Sequence, residues 1–204
     1  MKTNMTGSMI YRNLWLYRRV MDLLYRGQYR ARFRRVAALI RDTDAVVLEL
    51  CFGDVEIAEY CRSRGKKWIG LDVSEAFVAY AANRRFDARL EDVRQAGALP
   101  ACDVCVMMGS LYHFKSDLPE LFRRIKAASG RLILSEPVRN WTNSNRLLRF
   151  LARKGTRVGP REEAFRFSET SLLEALDGLK ASVGLDYRVI SVARDMIVEV
   201  VWLS

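Results

Sequence analysis

The sequence predicts an α/β protein with a Rossmann-like, doubly wound sheet that is mostly parallel and ends in an antiparallel hairpin. Strand-like and helix-like segments alternate from about residue 44 to residue 137, the pattern of a parallel sheet covered by helices on both faces. Two β-rich runs, LDYRVISVA and MIVEVVWL, are joined by Arg194-Asp195 and predict the hairpin. The 204 residues, half of them hydrophobic, are predicted to form a single domain.

Residues 1–41 are predicted to form a helical cap made of two helices, 9–25 and 28–41, separated by Gly27. In the second helix, apolar residues recur at helical spacing, and most of the arginines lie off this stripe. The stripe consists of Tyr29, Phe33, Val36, Ala37 and Ile40. Aromatic residues are interleaved with the arginines and are predicted to pack in the core rather than to contact lipid or nucleic acid. These are Tyr11, Trp15, Tyr17, Tyr25, Tyr29 and Phe33.

Residues 42–137 form the predicted core of the domain, in which five strands alternate with three helices. The strands are AVVLEL, KWIGLDV, FDARL, CDVCVMM and RLILSEP, and the helices cover residues 54–64, 75–84 and 117–127. Ser74 is a good N-cap for the second of these helices, because its hydroxyl can accept a hydrogen bond from the first helical turn. The first, second and fourth strands are thus each followed by a helix that can cross over the sheet.

The alternation stops after Pro137. Residues 138–167 are predicted to be a basic lid insertion with a helical segment near 143–154. Residues 168–204 carry the last helix and the hairpin. This helix begins at Ser168 or Ser171 and ends at about Lys180, and Ser171-Leu-Leu-Glu174 has the form of a capping box.

The formal net charge of +10 is concentrated in two segments. Residues 1–41 carry a net charge of +9 and residues 142–166 one of +5, whereas the remainder is acidic. This distribution predicts an anionic partner for one face of the protein. No apolar run approaches the ~20 residues of a membrane span. The stretch MKTNMTGSMIYR lacks the apolar core of a signal peptide, so the cytoplasm is the expected location.

The four cysteines are predicted to be free thiols in a reducing compartment. Cys102 and Cys105 have CxxC spacing, but they lie on a predicted strand, where residues three apart point to opposite faces. This favours buried thiols over a redox or zinc pair. His113 is the only histidine, and no cluster of ligands accompanies it, so no metal site is expected.

Acidic residues occur where the predicted strands end. Glu49 ends the first strand, Asp72 ends the second and Asp92 follows the third. Ligands of such sheets bind at the carboxyl ends of the strands, and a second-strand acid ~20 residues after the first strand accepts hydrogen bonds from ribose hydroxyls. Asp92 is placed to accept a hydrogen bond from an adenine amino group, with the Val93 amide facing a ring nitrogen. The sequence therefore predicts a nucleoside site in one crevice.

These segments resemble class I S-adenosylmethionine-dependent methyltransferases. The similarity covers about residues 44–139 and rests on ELCFGD, GLDVS, EDV and CDVCVMMGSLYHF. The segments LYHF and ILSEPVRN are similar to those of small bacterial members that act on small molecules or lipid-like substrates. The resemblance implies S-adenosylmethionine (SAM) as the cofactor, S-adenosylhomocysteine (SAH) as its product, and no metal.

The resemblance also implies a set of cofactor residues. Glu49 and Gly53 would hold the methionine end, Asp72 with Val73 the ribose, and Asp92 with Val93 the adenine. The implied set is completed by Met108 at the end of the fourth strand: Glu49, Gly53, Asp72, Val73, Asp92, Val93 and Met108.

The loop after the first strand departs from the pattern of the family. The first motif of the family usually carries three glycines at alternate positions, whereas this chain has Cys51, Gly53 and Val55. A β-branched residue does not readily adopt a positive φ, so either the turn uses negative φ at Val55 or the site is altered. The loop also argues against a nicotinamide cofactor, because it lacks the G-x-G-x-x-G pattern and Glu56 would face the pyrophosphate.

Methyl transfer mainly requires that the two reactants be held close and aligned, and a base is needed only if the acceptor keeps its proton. The candidate catalytic residues on the acceptor side are Tyr112, His113 and Glu136, and a structural role remains an alternative for each. Residues 111–113, 136–140 and 165–167 (Phe165, Arg166, Phe167) are predicted to contact the acceptor. Asp103, at the entrance of its strand, is predicted to be structural.

The predicted function is methyl transfer from SAM to an oxygen, nitrogen or carbon of a small, anionic or amphiphilic acceptor. One alternative is a methyltransferase-like protein that binds a ligand or partner without turnover, which Val55 favours. Another is an enzyme that modifies lipids in peripheral contact with an anionic membrane. The sequence contains no RNA-binding module, so nucleic acid is not the expected acceptor. The oligomeric state is left open.

Overall fold

The computed structural model describes residues 18–19, 21–23, 25, 27–139 and 165–203. The helices are α1 (Tyr29–Ala37), α2 (Glu56–Ser63), α3 (Glu75–Asn83), α4 (Leu118–Ala128) and α5 (Glu169–Leu179). The strands are β1 (Val46–Leu50), β2 (Lys67–Asp72), β3 (Asp87–Leu90), β4 (Val104–Met108), β5 (Arg131–Pro137), β6 (Leu185–Val192) and β7 (Asp195–Trp202). A 3-10 turn covers Leu111–Phe114, and a π-helical turn covers Lys180–Gly184.

The seven strands form one sheet in the order β3-β2-β1-β4-β5-β7-β6. Strands β1 to β5 are parallel, and β7 runs antiparallel to both β5 and β6. The predicted fold class is therefore confirmed. The chain order reverses at β1, because β2 and β3 lie on one side of it and β4 and β5 on the other. Ligands of open α/β sheets bind at this switch point, beyond the carboxyl ends of the strands.

The hairpin brings a further turn to the same edge of the sheet. Pro137, at the end of β5, pairs with Asp195, at the start of β7. The β6–β7 turn at residues 193–194 therefore lies beside the carboxyl ends of the parallel strands, an edge that we call the carboxyl edge. Arg194 lies in this turn, as predicted, and is therefore close to the carboxyl edge. Asp195 was predicted to lie in the turn as well, but it is the first residue of β7.

A separate hydrophobic core fills each face of the sheet. Helices α1, α2 and α3 cover one face, and α4 and α5 cover the other. The predicted apolar stripe of α1 is confirmed, because Tyr29, Phe33, Val36, Ala37 and Ile40 are all buried. Tyr25 is buried as well, so the described aromatics of this segment pack in the core, as predicted. Tyr11, Trp15 and Tyr17 lie outside the described residues.

Several predicted element boundaries differ from the structure. Helix α1 ends at Ala37, four residues before the predicted end, and Ser74 makes no side-chain cap hydrogen bond to α3. The capping box of α5 is formed by Ser168 and Ser171, not by Ser171 and Glu174. Ser168 is favoured because its hydroxyl reaches the Ser171 amide while the Ser171 hydroxyl accepts from the Ser168 amide. The predicted helical segment near 143–154, and nearly all of the lid insertion, lie outside the described residues.

The edge of the sheet opposite the carboxyl edge is held by a buried ion-pair network. The Arg131 guanidinium contacts the carboxylates of Asp44 and Glu199, and all three side chains are buried. It also donates to the Leu39 carbonyl oxygen at 3.0 Å, which ties the end of the N-terminal helical region to β5. Asp103 lies at the same edge and accepts hydrogen bonds from the Ala45 and Val46 amides, in agreement with its predicted structural role.

Among the residues that the structure describes, no helix combines the length and the apolar character needed to cross a membrane.

Replacing Arg131 by Met should lower the free energy of unfolding by about 3 kcal/mol, because it leaves the buried Asp44 carboxylate without a cation. Urea unfolding followed by circular dichroism measures the change. Arg89→Met is the matched control. Its pair with Asp87 is exposed and should contribute about 0.5 kcal/mol or less. Equal losses in the two variants would contradict a dominant role of the buried network.

Candidate functional site

The loop between β1 and α2, residues 51–55, turns back over the carboxyl edge with two residues at positive φ. Gly53 has φ 55°, and Cys51 has φ 54°, a value that non-glycine residues rarely adopt. The Cys51 amide donates to the Leu71 carbonyl oxygen at 2.7 Å, so the turn is held against β2. The backbone thus keeps at Cys51 a conformation that favours glycine, even though the glycine is absent.

Val55 occupies the third position of the expected glycine pattern without strain. Its φ is −98°, and it is the N-cap residue of α2. Its side chain is buried in the core between the sheet and helices α1 to α3. The first of the two alternatives left open by the sequence therefore holds, because the turn uses negative φ at this position.

Asp72, at the end of β2, is bonded to the loop that follows β1. Its carboxylate accepts hydrogen bonds from the Gly53 amide at 3.2 Å and from the Ser74 amide at 2.7 Å. Burial raises the pKa of Asp72 to about 6, and the hydrogen bonds from the Ser74 and Gly53 amides partly oppose this rise. The structure therefore brings two of the predicted cofactor residues, Gly53 and Asp72, into direct contact.

Cys51 lies near both Asp72 and Asp92. The Cys51 thiol is partly buried, and burial is the main reason that its pKa lies above the ordinary value of a thiol. The charges of Asp72 and Asp92 raise the pKa further, so both carboxylates lie near the thiol. Asp92 accepts a hydrogen bond from the Arg94 amide at 2.9 Å, which orients its carboxylate at the start of the loop after β3.

The apolar residues predicted to contact the cofactor differ in exposure. Val73, which follows Asp72, is 46% exposed, and the nearby end of β3 carries the exposed Leu90. Val93 and Met108 are buried, and Met108 belongs to the core under α1 to α3. Val73 and Leu90 therefore expose apolar surface near the carboxyl edge, whereas the Val93 and Met108 side chains are not exposed.

Glu49 is fully buried at the end of β1. Its Oε2 accepts a hydrogen bond from Trp68 Nε1 at 2.9 Å, while Oε1 has no hydrogen-bond partner among the described residues. Burial raises the pKa of Glu49 well above the ordinary value, the Trp68 hydrogen bond opposes the rise, and the charges of Asp54 and Asp72 add to it. The side chain lies on the α1–α3 face of the sheet. Its predicted role at the methionine end remains a prediction.

Gly70 makes room for the hydrogen bond between Trp68 and Glu49. It lies directly opposite Glu49 in the register of β1 and β2. A Cβ atom at this position would lie 2.1 Å from the Trp68 ring and 2.7 Å from the Phe52 ring. The two rings pack edge to face, with centroids 5.2 Å apart. Gly70 thus allows the indole to fold across β2 and to support the loop residue Phe52.

The acceptor side begins at the turn after β4. Gly109 has φ 66°, and the 3-10 turn Leu111–Phe114 follows. The Leu111 amide donates to Glu136 Oε2 at 3.1 Å, which ties this turn to the end of β5. Glu136 is fully buried, and burial raises its pKa to about 8. Glu136 Oε1 has no hydrogen-bond partner among the described residues.

Tyr112, His113 and Arg166 form a stack beside this turn. The Tyr112 and His113 ring centroids are 3.9 Å apart, and the Arg166 guanidinium lies 3.6 Å from the Tyr112 ring centroid. Burial, together with the positive charges of Arg166 and Arg94, lowers the pKa of His113 to about 4. His113 is therefore neutral and weakly basic at neutral pH. Phe165 and Phe167 pack edge to face at 5.0 Å next to the stack.

Arg32 is a residue of the site that the sequence interpretation missed. It is buried on α1, with Nε 2.9 Å from Asp195 Oδ2, and Asp195 also accepts a hydrogen bond from the Tyr25 hydroxyl at 3.0 Å. A Cβ atom on Gly109 would lie 3.0 Å from Arg32 Nη2, so the guanidinium reaches the turn after β4. Arg32 follows Tyr29 by three residues, a spacing that places it on the buried face of the helix.

Val138 and Arg139, which follow β5, are held by contacts to the β6–β7 turn and to α5. The Val138 and Arg139 amides donate to the Arg194 carbonyl oxygen at 3.0 and 3.2 Å. Arg139 also pairs with Glu169, at the start of α5, with a nitrogen–oxygen distance of 3.6 Å.

In the part of the chain that the structure describes, no group of three or more His, Cys, Asp or Glu side chains could hold a metal ion.

Comparisons with known proteins identify the family of the chain and solved structures with a similar fold. The family model described as a methyltransferase domain matches residues 21–179. No curated protein sequence matches the chain. Among solved structures, human N-acetylserotonin methyltransferase in complex with SAM has a TM-score of 0.65 and 16% identity, and the alignment covers 96% of this chain but only 58% of that protein.

Two smaller proteins align over nearly their whole length. Magnesium protoporphyrin IX methyltransferase from Synechocystis PCC 6803 with bound SAH has a TM-score of 0.64 and 16% identity, with 91% of this chain and 92% of that chain covered. The plantazolicin methyltransferase in complex with a monoazolic desmethylPZN analog and SAH has a TM-score of 0.68 and 11% identity, with 96% of each chain covered. At these identities the similarity concerns the fold.

Replacing Gly70 by Ala should destabilise the protein by about 1–3 kcal/mol, because the new methyl group overlaps the Trp68 and Phe52 rings. Urea unfolding measures the loss, and near-ultraviolet circular dichroism reports the displaced indole. Gly97→Ala is the control, since a Cβ atom there meets nothing within 4 Å. An unperturbed near-ultraviolet spectrum in G70A would contradict the packing described here.

Proposed function

The chain belongs to the methyltransferase domain family, and we propose that it transfers the methyl group of SAM to a small anionic or amphiphilic acceptor. The observation that carries the proposal is the hydrogen bond from the Gly53 amide to Asp72. It ties the second-strand acid to the loop at the switch point of the sheet. A ribose bound by Asp72 would therefore lie directly beside the loop that is proposed to hold the methionine end.

The residues of the crevice fit such a cofactor. After accepting the two backbone hydrogen bonds, the Asp72 carboxylate retains lone pairs for two ribose hydroxyls, which are paired donors. The exposed Val73 offers an apolar surface that could cover one face of an adenine ring, and Asp92, held by the Arg94 amide, is proposed to accept a hydrogen bond from the adenine amino group. The positive φ at Cys51 and Gly53 supports a close approach of the backbone to the methionine end.

SAM supplies an electrophilic methyl group when it is bound, so the protein mainly has to align the acceptor and exclude water. Among the three candidate bases, Glu136 is favoured for an acceptor that must lose a proton. Its pKa of about 8 leaves a minor fraction of Glu136 ionised at neutral pH, and this ionised carboxylate is a stronger base than an imidazole whose pKa is about 4. Tyr112 and His113 are then proposed to position the acceptor beside the turn after β4.

The charges around Glu136 support an anionic acceptor. Arg32 and Arg166 both lower the pKa of Glu136, and Asp195 raises it, so these three charged groups lie near its carboxyl. The Arg194 guanidinium lies 3.8 Å from the Tyr25 ring centroid, next to the Arg32–Asp195 pair. With Glu136 largely protonated at neutral pH, three arginines face one carboxylate. A carboxylate or phosphate on the acceptor would balance this excess.

Replacing Asp72 by Asn should weaken SAH binding at least tenfold, because an amide is a weaker acceptor for the ribose hydroxyls than a carboxylate. In the wild-type protein, affinity should be lost as the pH falls through about 6, since the free carboxyl then takes up a proton. D72N should lack this dependence. Isothermal titration calorimetry from pH 5 to pH 8 measures both effects.

Asp87→Asn is the control for this titration, because its carboxylate is paired with Arg89 on the outer strand of the sheet. Unchanged affinity in D72N would refute the ribose assignment. Failure of the wild-type protein to bind either SAM or SAH would favour the non-catalytic alternative.

The acceptor class can be tested with SAM that carries a tritiated methyl group. We expect the protein to label a small molecule in a deproteinised cell extract, and we expect this product to be retained by an anion exchanger. Label that partitions into chloroform would instead support the lipid-modifying alternative. A labelled product that passes the exchanger at neutral pH would contradict an anionic acceptor. D72N provides the background, because it retains the arginines around Glu136.

A further inference from the structure

Asp54, in the loop that follows β1, is held by a residue from far upstream. Its carboxylate is buried, with only 1% of the side chain exposed, and it accepts hydrogen bonds from Arg18 Nε at 3.0 Å and Arg18 Nη2 at 2.6 Å. This fork-to-fork geometry is the strongest form of ion pair between two side chains. Asp54 also accepts from the Tyr29 hydroxyl at 3.3 Å and from the Val55 amide at 2.7 Å.

Asp54 lies between the two residues that shape the loop. Gly53 donates its amide to Asp72, and Val55 is the N-cap residue of α2. A displacement of Asp54 must therefore move the Gly53 amide or the start of α2. The Arg18 side chain, 29% exposed, also lies over the Tyr80 ring of α3, with its guanidinium carbon 5.3 Å from the ring centroid. Arg18 thus joins the chain before α1 to both the loop and α3.

Charged residues line the boundary between the segment that contains Arg18 and the loop that contains Asp54. A cavity of about 260 Å³ lies beside the pair and is lined by Arg18, Asp22 and Tyr29 on one side and by Asp54 and Glu56 on the other. An exposed ion pair between Arg30 and Glu56, with a nitrogen–oxygen distance of 3.3 Å, also crosses this boundary. The Arg18–Asp54 pair therefore supplies a direct polar contact across this boundary, in addition to the core packing of Tyr29.

We infer that Arg18 is a positioning residue that couples attachment of the N-terminal segment, residues 18–29, to the cofactor-binding shape of loop 51–55. The inference rests on the proposed function. If the attached segment holds the loop in the shape that binds the cofactor, the cofactor stabilises the attachment by the same factor. Arg18 is thereby a determinant of cofactor affinity that does not itself need to contact the cofactor.

The test compares variants of the full chain by SAH calorimetry and by hydrogen exchange. Arg18→Met should weaken SAH binding about tenfold and accelerate exchange in peptides that cover loop 51–55. Arg30→Met is the matched control, because it breaks the exposed pair across the same boundary, and it should change affinity less than twofold. Arg18→Lys keeps the charge without the fork and should fall between the wild-type protein and R18M.

Two further measurements separate coupling from a general loss of stability. SAH should slow exchange in peptides from residues 18–29 of the wild-type protein and should have no such effect in R18M. The double variant R18M/D54N removes the carboxylate that R18M leaves buried and uncompensated, so it should unfold at higher urea than R18M. It should nevertheless bind SAH no more tightly than R18M, because the coupling is still broken.

The inference is overturned if R18M binds SAH like the wild-type protein, if R30M loses as much affinity as R18M, or if SAH leaves exchange in residues 18–29 unchanged. It is also overturned if R18M/D54N recovers wild-type affinity. Failure of the wild-type protein to bind SAH would instead refute the proposed function. In that case, faster exchange of loop 51–55 in R18M without ligand would still support the role of Arg18 in holding the loop. Unchanged exchange would refute that role.

Discussion

The site depends on how the protein satisfies carboxyl groups that are buried where its parallel strands end. Glu49, Asp72 and Glu136 end or nearly end β1, β2 and β5, and all three are buried. A buried carboxyl group must be hydrogen-bonded or neutral. Here each one accepts a hydrogen bond from a neighbouring element, through the Trp68 indole, the Gly53 and Ser74 amides and the Leu111 amide. The same bonds fix the loops that surround the crevice, so the polar edge is preorganised before any ligand binds.

In the loop after β1, two positions at which the family usually has glycine carry other residues. The backbone conformation at each position explains why the replacement is tolerated. At position 51 the chain retains a positive φ and accepts the strain of a cysteine there, which is of the order of 1 kcal/mol. At position 55 the φ is negative, so a valine fits and adds to the core. Asp54, between them, is held by Arg18 and Tyr29. Contacts with residues outside the loop therefore contribute to its stability.

The sequence predicted the sheet and its order of elements well, because strands buried on both faces are apolar throughout and stand out between amphipathic helices. The acids at the strand ends could be predicted for the same reason, since a charged residue that closes an apolar strand marks the edge of the sheet. The Trp68–Glu49 hydrogen bond could not be predicted from the sequence, because it depends on the register of two strands and on the space left by Gly70. Arg32 was overlooked because an arginine suggests an exposed face, although its spacing from Tyr29 places it on the buried one.

The contacts of Val138 and Arg139 have a consequence for the corner of the sheet where β5 ends. The Arg194 carbonyl oxygen accepts hydrogen bonds from both of their amides, and the Arg139 side chain pairs with Glu169 at the start of α5. Three parts of the chain that are far apart in sequence therefore meet at this corner. A change in the backbone of the β6–β7 turn would be transmitted to the exit of β5, although the turn itself lies more than fifty residues downstream.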